Sequence, residues 1–226
     1  GVLRPQIAEA LLLMANDKPE GMDNAFTATD LHRQATDPTY AGALSFMRRK
    51  YTTDLTGVDA VIWGIPLDTA TSNRPGTRFG PRGVREASCG MDNDPQYPFG
   101  SRLFDDMAAV DYGDCYFYYG HQNKIPEVIE TGADRIINAD SLPYLLSIGG
   151  DHFVTYPLLR AHVKKHGPLA LVQFDAHQDT WDDKDGAVDH GTFITRAVRE
   201  GLIDVEHSIQ VGIRTIAPTD CGIEIL

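Results

Sequence analysis

Five short apolar runs, at residues 58–66, 107–113, 142–148, 169–174 and 207–213, are punctuated by Gly, Pro or Asp and separated by longer stretches with helical periodicity. That alternation is the signature of parallel βαβ units. The intervening helices are placed at 81–88, 126–139, 156–165 and 193–200, and Pro81 and Pro126 suit first-turn positions, where a missing N–H costs nothing. The continuously apolar Leu169-Ala170-Leu171-Val172 implies a strand covered on both faces. The expected fold is therefore α/β, a three-layer αβα arrangement around a mostly parallel sheet. Residues 1–50, with one candidate helix at 6–16, read as an N-terminal arm or cap, which leaves 51–226 as the main domain.

Composition narrows the function classes. The chain has 226 residues, enough for one large α/β domain. Its 32 acidic and 20 basic residues give a net charge of −12, which argues against nucleic acid or an anionic membrane as partner and is compatible with a cationic ligand. Cys89, Cys115 and Cys221 are widely spaced and unpaired in pattern, so a disulfide framework or zinc ribbon is not expected and a cytoplasmic setting is. The apolar stretch at 11–15 is too short to span a membrane and lacks the flanks of a signal peptide. No Gly-x-Gly-x-x-Gly or Walker-type loop is present. The last four residues, Ile223-Glu224-Ile225-Leu226, read like the start of a strand, and both ends of the chain are expected to continue.

In open parallel sheets, sites form beyond the carboxyl ends of strands, and this sequence concentrates its polar residues there. The run at 142–148 enters Gly149-Gly150, where absent side chains permit a sharp turn, and Asp151 and His152 follow. Taken alone, this pair also fits a helix cap and a packed histidine. The next run ends in Asp175-Ala176-His177-Gln178-Asp179, and an extended backbone would put Asp175, His177 and Asp179 on one face. Carboxylate oxygens with imidazole nitrogens suit manganese, nickel or zinc, and the lack of thiolates disfavours structural zinc.

These motifs resemble those of the arginase and agmatinase family of ureohydrolases, and the agmatinase branch in particular. The likeness extends through Gly149 to His162, Asp189-His190-Gly191-Thr192, residues 201–204, Gln210-Val211-Gly212-Ile213-Arg214-Thr215, and the upstream segments 64–68 and 72–81. It covers roughly residues 40 to 215. Gln178 departs from the Ser or Thr usual in the family, which could alter hydrogen bonding behind the ligands but removes none of them. The resemblance implies an arginase/deacetylase-like fold and two manganese ions, with nickel or another divalent ion possible. His152 and Asp179 would chiefly hold one ion, His177 the other, and Asp175 would help hold or bridge the pair. It also implies a later Asp-x-Asp-x-x-Asp-type motif that completes both coordination spheres, which nothing after Asp179 supplies. Charge counting agrees: two divalent ions bring four positive charges, whereas Asp175, Asp179 and one hydroxide return three.

His190 resembles the family histidine at the active-site mouth, a proton donor or substrate contact. Asp182, Asp183, Asp185 and Asp189 lie in a Gly-containing polar loop and are expected to form a solvated flap, and a calcium loop there fails because Trp181 would take its first ligand position. Arg74, Arg78, Arg82 and Arg85 are expected to pair with carboxylates. The implied reaction is hydrolysis of agmatine, a small cationic guanidino substrate, to putrescine and urea by a homo-oligomer, a trimer or hexamer. Alternatives are guanidinobutyrate, guanidinopropionate or guanidine as substrate, or a non-catalytic scaffold if the chain truly ends at Leu226. A single-zinc deacetylase fits the motifs poorly.

Overall fold

The computed structural model describes residues 23–226, so the candidate helix at 6–16 lies outside the described residues. Strands β1 (Lys50–Tyr51), β2 (Ala60–Ile65), β3 (Ala109–Asp114) and β4 (Tyr144–Gly149) form a parallel sheet in the order β1-β3-β2-β4. A second parallel sheet holds β5 (Val172–Phe174), β6 (Ile209–Val211) and β7 (Glu224–Ile225) in that order. The longer helices are α1 (Gly80–Ser88), α2 (Ile125–Ile137), α3 (Thr155–His166) and α4 (Phe193–Arg199). Pro81 and Pro126 occupy first-turn positions, and α3 stops at Gly167, whose φ of 75° suits glycine.

Strand β2 shows why the architecture is layered. Val61, Ile62, Trp63 and Ile65 are all buried, so both faces are covered. Val61, Trp63 and Ile65 join a core with Ile125, Ile129, Ala133 and Ile136 of α2, and Gly132 leaves room for the Trp63 ring. Ile62 packs on the other side with Phe104, Ala109 and Phe46, where Pro81 of α1 also closes on Gly64. Each large apolar side chain withdrawn from water contributes about 1.5–3 kcal/mol, which makes this strand the anchor of the sheet. The same core continues through Phe153, Tyr156 and Leu159 to Phe193, Ile194 and Ala197 of α4, tying the two sheets together.

The second sheet differs from expectation. Strand β5 begins only at Val172, and Val172 and Phe174 are exposed, as are Tyr144 and Leu146 of β4. The two-sided cover implied by residues 169–172 is therefore absent among the described residues. The exposed residues alternate with covered ones, Tyr144 and Leu146 with Leu145, and Val172 and Phe174 with Leu171 and Gln173, so one face of each strand meets the core and the other is left uncovered among the described residues. At the end of the chain, Glu224–Ile225 pairs in parallel with β6, in line with the strand-like reading of residues 223–226. Among the described residues no helix is long and apolar enough to cross a membrane.

Candidate metal centre

The exit of β4 is shaped by glycine. Gly150 has a φ of 35°, and a Cβ there would lie 2.5 Å from the carbonyl oxygens of both Ile65 and Leu67. Only a residue without a side chain lets the β4 exit pass this close to the β2 exit. Asp151 then caps the turn His152–Val154, accepting from the N–H groups of Phe153 (3.0 Å) and Ala70 (3.1 Å). Burial pushes its carboxyl above the usual range despite these donors. The capping role foreseen for Asp151 is thus present, and it turns His152 toward the second sheet.

There His152 Nδ1 lies 2.8 Å from Asp179 Oδ2 and 3.2 Å from Asp175 Oδ2, with its ring 4.6 Å from that of Phe193. Burial works against a charge on His152, yet the hydrogen bond and negative charge of Asp179, with Asp175 and Asp151 beyond, leave its pKa raised. Burial likewise pushes Asp175 upward, but the His177 N–H, His152 and Gln173 outweigh it and hold the carboxyl below its ordinary value. Among the described residues, His152, Asp175 and Asp179 are the group whose ligand atoms all fall within 4.8 Å of one another. One imidazole nitrogen and two carboxylates form a donor set suited to a borderline or hard divalent cation.

Residues 175–179 do not continue the strand as their alternation implies. Strand β5 ends at Phe174, and Asp179 has a φ of 54°, so these residues form an irregular turn and not a strand face. His177 accordingly stands apart from the convergent three and is 57% exposed. It keeps contact with the site through Asp175, whose Oδ1 accepts the His177 N–H at 2.9 Å and lies 3.6 Å from His177 Nδ1. The two oxygens of Asp175 therefore face two different imidazoles.

His190 sits on the loop after the centre, where its Nε2 accepts the Ser72 N–H at 3.1 Å. A neutral ring bonded this way carries its proton on Nδ1. The Ser72 loop is itself held by Asp68, which accepts from Arg78 Nε (2.8 Å) and Gly76 N (2.7 Å). The solvated-flap reading of residues 182–189 fails for Asp183, which is buried and takes Arg196 Nε at 2.7 Å together with Arg199. Two arginines on α4 supply the compensation that a local reading of a polar loop lacks. Arg78 and Arg85 do pair with carboxylates, Arg85 with buried Asp111 at 2.7 Å.

Two further residues beside the centre were given no role by the sequence, although Gln210 opens the 210–215 stretch named above. Gln173 and Gln210 are buried in the middle of β5 and β6 and lie opposite each other in the parallel register. A glutamine inside each of two apolar runs was the available signal. Gln178, flagged as a departure, accepts the Ala217 N–H at 2.8 Å and pins the turn to a segment 39 residues further on.

Fold and site together define a parallel α/β protein with an imidazole–carboxylate centre beyond its strand ends. The chain belongs to the arginase family, whose model matches residues 58–225. It is 48% identical to an agmatinase of Chromobacterium violaceum over 207 residues, covering 90% of this chain and 63% of that protein. A crystal structure of a hypothetical agmatinase from Burkholderia thailandensis matches with a TM-score of 0.85 and 47% identity, over 90% of this chain and 64% of that one. The proclavaminate amidino hydrolase of Streptomyces clavuligerus matches at 33% identity and a TM-score of 0.76, over 84% of this chain and 65% of that one. The chain thus spans a little under two thirds of the length of these relatives.

Proposed function

We propose that the protein is a manganese-dependent ureohydrolase that cleaves the guanidino group of agmatine, giving putrescine and urea. The observation that carries this reading is the position of Asp175, with Oδ2 turned to His152 and Oδ1 to His177. One carboxylate between two imidazoles is the arrangement a pair of cations needs. His152, Asp179 and one oxygen of Asp175 would hold the first ion; His177 and the other oxygen of Asp175 would contribute to the second. Bound divalent cations would supply the positive charge that activates water at neutral pH and stabilises developing negative charge.

The rest falls to the chain itself. His190, whose Nε2 is tied to the Ser72 N–H, is the candidate proton donor to the departing amine once that nitrogen is released and protonated, because only the imidazolium can give up a proton and return to a neutral ring. Phe193 packs against His152 and fixes the ring plane. The net charge of −12 favours a dicationic substrate. Two of the relatives are agmatinases or hypothetical agmatinases, which puts agmatine first. Likeness to an amidino hydrolase of a different guanidino compound makes guanidinobutyrate the informative comparison.

The test is urea release by the purified protein with manganese supplied, agmatine against guanidinobutyrate. Faster turnover of agmatine is expected. Turnover of guanidinobutyrate alone would move the substrate assignment and keep the chemistry, and no urea from either would sink the reading.

A further inference from the structure

We propose that Gln173 and Gln210 form a relay of positioning residues that sets the carboxylates of Asp175 and Asp179 for cation binding. The inference rests on the metal reading above. Gln210 is fully buried, and its Nε2 donates to the Gln178 carbonyl and to Gln173 Oε1, both at 2.7 Å. A backbone carbonyl can only accept, so the orientation of the Gln210 amide is fixed by chemistry. With its oxygen occupied by Gln210, Gln173 turns its NH2 to Asp179 Oδ2 (3.2 Å) and Asp175 Oδ2 (3.4 Å). Carboxylates only accept as well, so both ends of the relay demand the same polarity.

The two oxygens that Gln173 approaches are the two that face His152 Nδ1. A single neutral NH2 group therefore holds the carboxylate pair in place without adding a charge that would compete with a cation. Packing alone does not explain these glutamines. An aliphatic residue fills a buried mid-strand position without polar atoms to satisfy, and here Gln210 Oε1 has no hydrogen-bond partner among the described residues. What Gln210 does use is its pair of N–H bonds, one anchoring the turn that carries Asp179 and one orienting Gln173.

The experiment is Mn2+ affinity of the purified protein, read from the electron paramagnetic resonance signal of free Mn2+, alongside its melting temperature. Groups that orient metal ligands are worth about 10–100-fold in affinity, so Gln173→Leu should bind Mn2+ at least about tenfold more weakly. Gln210→Leu should weaken binding less, and the double variant should lose less than the sum of the two single losses, because Gln210 acts in part through Gln173. Gln173→His should restore most of the affinity, since a neutral imidazole accepts at one nitrogen and donates at the other. Unchanged affinity in folded Gln173→Leu overturns the proposal, as do strictly additive losses or a Gln173→His variant no better than Leu. If Gln173→Leu does not fold, Gln210→Leu decides: weaker binding at an unchanged melting temperature supports the relay, and unchanged binding overturns it. A wild-type protein that binds no Mn2+ removes the metal reading itself, a result distinct from tight wild-type binding with indifferent variants.

Discussion

Asp68 shows how one residue controls the border of the centre. Hydrogen bonding from Arg78, reinforced by the Gly76 N–H, outweighs burial and lowers its pKa from 3.8 to about 2. A carboxyl depressed in the folded state contributes stability that is fully present above its unfolded value and is lost as pH falls through the folded one. The window is therefore from about 4 down to about 2. Urea unfolding across that range should show wild-type stability falling more steeply than that of Asp68→Asn, with the variant already weaker at neutral pH. Parallel curves would show that the Asp68–Arg78 pair is not coupled to folding. The same loop donates the Ser72 N–H to His190, so Asp68→Asn is also expected to loosen that histidine.

Single residues also mark what a sequence discloses. That His152, Asp175 and Asp179 lie near one another was legible from the strand ends and the glycines, whereas the alternation that grouped His177 with them was not how the chain runs. The burial of Asp183 was not legible, because its arginine partners lie 13 and 16 residues further along the chain, on α4. Gln173 and Gln210 stood in plain view, yet an apolar-run reading counts their neighbours and passes over the polar residue between them.

At the scale of elements, the join between β2 and β4 is the most exacting. The register runs from Ala60 opposite Tyr144 to Ile65 opposite Gly149 without interruption, and Gly150 then passes against the backbone of Ile65 and Leu67. Gly150→Ala would force two backbone segments apart at the point where His152 is aimed. Overpacking of this kind costs about 1–3 kcal/mol, so thermal unfolding should occur several degrees lower. An unchanged midpoint would mean that the turn has slack that its contacts do not show. The positions of all four long helices followed from periodicity and from Pro81 and Pro126. The irregular turn at 175–179 did not, since Asp179 takes a positive φ of 54° that an alternating extended reading does not anticipate.

Across the whole molecule, the unpaired sides of β4 and β5 are the least satisfied surfaces described. They carry exposed Tyr144, Leu146, Val172 and Phe174 beside open backbone donors and acceptors. Such edges template pairing with other strands, and lysine on an edge suppresses it. The purified protein should associate with rising concentration, and Leu146→Lys with Phe174→Lys should reduce the light scattering without lowering the melting temperature. Scattering insensitive to both changes would point to another surface. No local pattern announced these edges, because an apolar run reads the same whether its strand is central or marginal.

The separation of the two sheets has a thermodynamic consequence. His152 belongs to the exit of the first sheet, and Asp175 and Asp179 to the exit of the second. An ion held by all three would act as a rivet across a seam that no backbone ladder closes among the described residues. Its binding free energy then becomes part of the free energy of keeping the two halves in register, and loading the centre and closing the seam become a single equilibrium.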